Sequence, residues 1–304
     1  MSPQIAQHIA THYAMDHGPS TMDLYNTSPR TMLWTIDYGP WTIFISFAPY
    51  MTTDLALLCC FSLCAGFIDA IVGGGGLIQT PAILFTFPQY PVATLLGTTK
   101  IPSFSGTSMA AWQYAKRVQF NRPLLLVTAV TAFFAALSGS SLVAYLPNHF
   151  LKPVMLVLLI AVAIYTYLKK DFGQQTHQPA GQVRNTWAWG IVIGGVLGFY
   201  DGFFGPGTGS FLILAFISLM GFDFLHASAH AKVVNLSTNI ASIIYFASHG
   251  HILWMVTILM AVSNLTGSFF GARLAILKGN SLVRRFFLLV VCGTILRFAY
   301  ELWK

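Results

Sequence analysis

The chain has 304 residues, of which 55% are hydrophobic and 8% charged, with a formal net charge of +7. Soluble domains carry roughly a quarter charged residues, so this composition excludes an ordinary soluble surface and makes lipid the outer solvent. The basic excess lies in short loops between apolar segments, not in a run interleaved with aromatics, and no nucleic-acid partner is expected.

Residues 1–52 are polar, with Pro, Met and several His, and a short aromatic stretch from Trp41 to Phe47. They lack the basic region, apolar core and small-residue cleavage site of a signal peptide. They read as an N-terminal extension, either mobile or in part an over-long start, with Met22 and Met51 as alternative starts. Ten apolar segments follow, in two sets of five. The first set, within 53–168, is predicted at about Leu55–Val72, Leu77–Phe87, Val92–Ala115, Pro123–Leu146 and Pro153–Leu168. A polar cytoplasmic linker occupies 169–186. The second set, within 187–304, is predicted at about Trp187–Phe204, Ser210–Met220, Phe224–Ser248, Ile252–Ala272 and Phe286–Tyr300. A full crossing needs roughly 20 helical residues. The second segment of each set is shorter and follows a glycine-rich break, so it is a half-helix, a re-entrant piece or a tilted span. Cys59, Cys60, Cys64 and Cys292 all lie in apolar segments without a metal or redox spacing, and read as small hydrophobes.

The two sets are copies. Gly66-Phe67-Ile68-Asp69 and the run Gly73 to Gly76 recur as Gly198-Phe199-Tyr200-Asp201 and Gly205-Pro206-Gly207-Thr208-Gly209, an offset of 132 (Gly66 to Gly198). The same offset carries Lys100 to Lys232, Ser105 to Ser237 and Gly139 to Gly271. Three basic loops follow: Lys116, Arg117 and Arg122; Lys169, Lys170 and Arg184; and Arg273, Lys278, Arg284 and Arg285. All three fall on the cytoplasmic face only if every segment crosses. Five crossings per copy is odd, so the copies have opposite orientation. The fold class read here is an all-α polytopic membrane protein of two inverted repeats with helices broken at glycine motifs.

The glycine breaks, Gly73, Gly74, Gly75 and Gly76 in one copy and Gly205, Gly207, Thr208 and Gly209 in the other, cannot be ordinary helix interior. Each Gly costs roughly 1 kcal/mol against Ala, and Pro206 removes an amide. Irregular backbone at membrane depth is buried in protein or lines a cavity. Amides at the start of the next half-helix suit an anion; close packing of small residues is the plainer use of the same glycines. Lys100 and Lys232 are each expensive in a bilayer, by about 3 kcal/mol. Lys100 is roughly 24 Å from Lys116 but only about 12 Å from Val92 at helical rise, so snorkelling toward the nearer edge is the rival to a binding role. Lys232, Asn235 and Asn239 share one helical face, as do Lys100, Ser103 and Thr107. These lysines, Ser103 and the two asparagines are the substrate-binding candidates. Asp69 and Asp201 could pair with the lysines, cap freed amides or carry a coupling proton. His230 is the third proton-coupling candidate. His226 and His230 at i, i+4 lack further ligands for a metal site, since the other copy has Thr94 and Thr98 there; no metal and no cofactor is expected. Gly267, Gly271 and Ala275 read as packing residues. On these assignments Lys232→Ala should abolish anion transport in a protein that still folds and inserts.

These motifs resemble the TauE/SafE family of sulfite and organosulfur-anion exporters, in particular its YfcA-type branch. The residues that carry the resemblance are Gly-Phe-Ile-Asp-Ala-Ile-Val-Gly-Gly-Gly-Gly at 66–76, Gly-Phe-Tyr-Asp-Gly-Phe-Phe-Gly-Pro-Gly-Thr-Gly-Ser at 198–210, and Ala-His-Ala-Lys-Val-Val-Asn at 229–235 leading to Thr238-Asn239-Ile240. It runs from about Met51 to the C-terminus. The resemblance implies a multi-pass transporter of the bacterial inner membrane that moves a small anion, driven by the proton gradient. Homo-oligomerisation is left open. An anion channel is the alternative within transport. An intramembrane enzyme is the rival class, but a Gly-x-Ser nucleophile is not met by Gly207-Thr208-Gly209-Ser210, which puts Gly where that pattern needs Ser.

Overall fold

The computed structural model describes residues 33–38, 41–46, 51–168 and 186–278. The chain divides into two compact units, Met1–Thr53 and Asp54–Lys304. In the first, β1 (Leu33–Tyr38) pairs antiparallel with β2 (Trp41–Ser46), Leu33 opposite Ser46 and Tyr38 opposite Trp41. The N-terminal extension therefore holds a hairpin, and the all-α reading applies to the second unit alone.

The described part of that second unit is helical throughout: α1 (Met51–Val72), α2 (Gly76–Thr86), α3 (Val92–Ala115), α4 (Arg122–Tyr145), α5 (Asn148–Leu168), α6 (Thr186–Phe203), α7 (Thr208–Met220), α8 (Phe224–Ser248) and α9 (Trp254–Lys278). The expected segment at 286–300 and the linker at 169–185 lie outside the described residues. Arg273 and Lys278, expected in a loop, instead belong to the last turns of α9. Local chemistry sets several ends. Asn121 caps α4 by accepting from the Leu124 amide at 3.3 Å. Asp223 caps α8 by accepting from the amides of Leu225 and His226. Gly221, at φ 67°, closes α7 in the left-handed conformation.

Thr53–Val72, Arg122–Tyr145 and Trp254–Ile276 are long and apolar enough to cross a membrane. Helices α3 and α8 have the length, but each carries a lysine and a polar stripe. The faces of α4 explain its place. Leu126, Val130 and Phe134 are exposed, whereas Thr128, Ala132, Ala136 and Gly139 on the other side are buried. That small-residue side packs on α6: a Cβ on Gly198 would strike Ala132, and one on Gly202 would strike Ala136. On α9, Gly267 and Gly271 sit in the same way against the carbonyls of Leu63 and Phe67 in α1.

Contacts recur 132 residues away with the copies exchanged. Gly139 lies on the carbonyl of Phe199, and Gly271 on that of Phe67. Ser105 donates to the Ala261 carbonyl at 3.1 Å, and Ser237 to that of Ala129 at 2.7 Å. Each copy's fourth helix thus packs on the other copy's first and third. Pro102 shows how irregularity is compensated. It cannot donate to the Thr98 carbonyl, which accepts instead from the Thr257 hydroxyl of α9 at 2.7 Å.

Candidate functional site

Helix α1 ends at Val72 and α2 begins at Gly76; α6 ends at Phe203 and α7 begins at Thr208. The chain turns between them on left-handed glycines. Gly73 (φ 78°) and its counterpart Gly205 (φ 91°) both adopt this conformation, as does Gly207 (φ 83°). The two breaks touch. The Ser210 amide donates to the Gly73 carbonyl at 3.1 Å, and the Ser210 hydroxyl to that of Val72 at 2.6 Å. A Cβ on either Gly73 or Gly209 would overlap the other's backbone. Only glycine permits this crossing. It also gives the Ser210 hydroxyl a structural partner in the Val72 carbonyl.

A cavity of about 30 Å³ lies at the crossing. Of the residues singled out from sequence, Asp69, Gly73, Gly76, Lys100, Ser103, Asp201, Gly205, Gly207, Gly209, Asn235 and Asn239 line it. Thr80, Thr99, Thr107 and Phe204 complete the wall. In the opening turns of α2 and α7 the amides of Leu77 and Ile78 donate to the Gly74 and Gly75 carbonyls, and those of Thr208 and Ser210 to the Gly205 and Gly73 carbonyls. Gly74, Gly75, Thr208, Lys232 and His230 are not in the lining. Gly75 instead lets α2 approach the Ala65 carbonyl of α1, and the Thr208 hydroxyl donates to the Gly205 carbonyl at 2.7 Å.

Neither lysine snorkels. Lys100 and Lys232 are 4% and 1% exposed, and each meets the acid of the other copy. Lys100 Nζ donates to the Asp201 carbonyl at 2.5 Å and stands 3.3 Å from Asp201 Oδ2. Lys232 Nζ donates to the Asp69 carbonyl, and to Asp69 Oδ2 at 2.7 Å. The Thr107 hydroxyl also donates to Asp69 Oδ2, at 3.3 Å. Asn239 Nδ2 donates back to the carbonyl and side-chain oxygen of Asn235. Two lysines and two carboxylates bring the formal charge of the site to zero.

His230 lies elsewhere, for a physical reason. Its ring packs against Phe120, Phe216 and Phe222, and Nε2 accepts from the Asn121 amide at 3.1 Å. Its counterpart Thr98 accepts from the Leu253 amide at 3.0 Å. Both side chains seat the start of the other copy's fourth helix. His230 is therefore placed as a helix-seating residue, away from the cavity. His226 is exposed and bonds Asp223 Oδ2 at 2.5 Å through Nδ1. The Asp223 carboxyl is partly buried, which works against ionisation, but bonds from His226 and Leu225 outweigh this and hold it below its usual range. No group of three metal-binding side chains occurs among the described residues. His230→Thr, which copies the other repeat, is expected to leave the pH dependence of transport unchanged in proteoliposomes; loss of that dependence would return His230 to the proton path.

Sequence reasoning missed the polar link behind the cavity. Gln79 donates to the Thr99 carbonyl at 3.1 Å and accepts from Asn264 Nδ2 at 2.8 Å. The signal was present: Gln79 is a buried amide in an otherwise apolar half-helix, where an unpaired polar group is costly.

The family model described as Sulfite exporter TauE/SafE matches residues 58–298. A "Probable membrane transporter protein" of Haemophilus influenzae is 36% identical over 230 residues, covering 76% of this chain and 88% of that protein. "Probable membrane transporter protein ORF9" of a Sinorhizobium species is 35% identical, covering 80% and 91%. "Probable membrane transporter protein YfcA" of Escherichia coli is 33% identical, covering 78% and 86%. No solved structure matches. With most of its length matched by the family model and by these relatives, the chain belongs to the TauE/SafE family of membrane transporters.

Proposed function

We propose that the protein is a secondary transporter that carries a small anion, a sulfite, sulfonate or related organosulfur anion, across the bacterial inner membrane with proton coupling. One observation carries this reading: the cavity sits where two broken helices cross, with the starts of both half-helices and the buried Lys100 in its wall. Helix starts of this kind hold anionic groups in transporters. The Ser103 hydroxyl and the Asn235 amide, also in the wall, add neutral donors suited to oxyanions. The family's name supplies the sulfur oxyanion.

The exchanged contacts support an inverted repeat. A two-fold relation makes residue i of one copy meet j of the other, and the counterpart of j meet that of i. With an odd number of crossings per copy the axis lies in the membrane plane, and rocking of one copy against the other would expose the cavity to each side in turn.

The test is uptake of sulfite and of methanesulfonate into proteoliposomes, with and without an imposed pH gradient. Accumulation above equilibrium under the gradient, collapsing when the gradient is removed, is expected. Gradient-independent equilibration would make the protein a channel. Absence of flux for both anions would remove the anion assignment.

A further inference from the structure

We propose that the two lysine–aspartate pairs have divided their work: Lys100–Asp201 is the pair that an incoming anion opens, and Lys232–Asp69 is a fixed clamp. This inference rests on the anion-transport reading above and names the residues through which that site would act.

The pairs occupy equivalent positions but are not equally held. Lys232 bonds both the carbonyl and Oδ2 of Asp69, and Thr107 adds a third contact to that same oxygen. Lys232 is outside the cavity wall. Lys100 is in the wall, bonds the Asp201 carbonyl, and reaches only to 3.3 Å from Oδ2. That separation allows charge attraction, but the two are not aligned as a hydrogen bond. Asp201 Oδ2 is buried and has no hydrogen-bond partner among the described residues. The counterpart of Thr107 is Asn239, whose amide bonds Asn235 instead. The contact that completes the Asp69 clamp is therefore missing at Asp201. An unsatisfied buried carboxylate oxygen is costly, so this pair loses less when it opens.

Lys100 is the one basic side chain among the described residues of the cavity wall, so an anion that enters would draw on it. Lys100 Nζ lies 3.2 Å from where a Cβ on Gly205 would be, beside the break and within reach of a guest. Swinging Lys100 from Asp201 to the anion keeps the lysine paired. It leaves the Asp201 carboxylate beside a second negative charge. The charged groups around it are Lys100 from α3 and, across the cavity, the mutually neutralised Lys232 and Asp69. Tyr200, on Asp201's own helix, donates its hydroxyl to the Pro206 carbonyl. Charge balances if one proton from water joins Asp201 as the anion joins Lys100. Proton and anion then bind together, which is the coupling a symporter needs.

The experiment is isothermal titration calorimetry of the full chain with methanesulfonate, whose charge stays fixed with pH, in buffers of different ionisation heat to count protons. Paired substitutions remove both charges of a pair and strand neither. Lys100→Met/Asp201→Asn is expected to fold and to lose roughly tenfold to a hundredfold in affinity, the value of a charge-assisted contact, together with proton uptake. Lys232→Met/Asp69→Asn is expected to lower thermal stability, while the binding that its folded fraction retains still takes up one proton per methanesulfonate. As a readout independent of those variants' folding, adding methanesulfonate to the wild type should convert a carboxylate to a carboxylic acid in the infrared difference spectrum. Asp201→Asn should lose that band and Asp69→Asn keep it. Wild-type binding by the first double variant, or a band that disappears with Asp69 instead, overturns the division of work while leaving the anion reading intact. A wild type silent to methanesulfonate, sulfite and sulfate overturns both.

Discussion

Gly73→Ala is expected to leave little folded protein, with a loss of about 2 to 5 kcal/mol by thermal unfolding in detergent. Two costs combine. Gly73 has φ 78°, a conformation that costs a side-chain-bearing residue about 1–2 kcal/mol. The added methyl would also land on the backbone of Gly209, and overpacking of this kind costs about 1–3 kcal/mol. Backbone cannot step aside as a side chain can, and Ser210 anchors the crossing through the carbonyls of both Val72 and Gly73. A domain stable by roughly 5–15 kcal/mol loses much of its margin. Gly195→Ala is the control. It lies inside α6, and its Cβ would meet only Thr131 Cγ2, at 3.8 Å. Helix propensity then favours Ala by up to about 1 kcal/mol. If Gly73→Ala melts with Gly195→Ala, the two breaks do not cross as described.

What the sequence made legible follows from how local each signal is. The limits of α3 and α8 coincide with the apolar periods bounded by Pro91, Lys116, Asp223 and His249, because cap and breaker chemistry act within a few residues. The breaks at 73–75 and 204–207 were legible because glycine clusters and Pro206 are incompatible with helix interior. Partner choice was not legible. Lys232 and Asp69 are 163 positions apart, and nothing in either neighbourhood says that a lysine meets the acid of the other copy. His230 shows the same limit. As a polar residue near Lys232 it suggested a proton path, yet its ring bonds the Asn121 amide, 109 positions away. The hairpin at 33–46 was obscured differently: polar composition suggested a mobile extension, while pairing depends on register between two short stretches.

Lys232→Ala is expected to fail at folding, not at transport alone, which reverses the expectation from sequence. Asp69 Oδ2 takes its short contact, 2.7 Å, from Lys232 Nζ, and only the longer Thr107 bond would remain. Removing one partner of a buried pair typically costs about 3–5 kcal/mol, because the other charge is stranded. Lys232 is among the largest fully buried side chains of the described residues, so truncation also empties packed volume. Adding Asp69→Asn to Lys232→Ala should recover much of the loss, since the stranded charge is gone and only the cavity remains. Lys232→Arg should not rescue as well, because a planar fork does not fit where a compact ammonium bonds a carbonyl and a carboxylate at once. Lys100→Ala should differ in kind. Asp69 and Asp201 both border the cavity and Asp201 is the less exposed of the two, so folded protein should fall here too, but the fraction that folds should not bind methanesulfonate. The measurement is the melting temperature and yield of each variant by fluorescence-detected gel filtration, followed by calorimetry on the folded fraction. Wild-type stability in Lys232→Ala would show that Asp69 does not depend on that lysine, and the clamp would have to be abandoned.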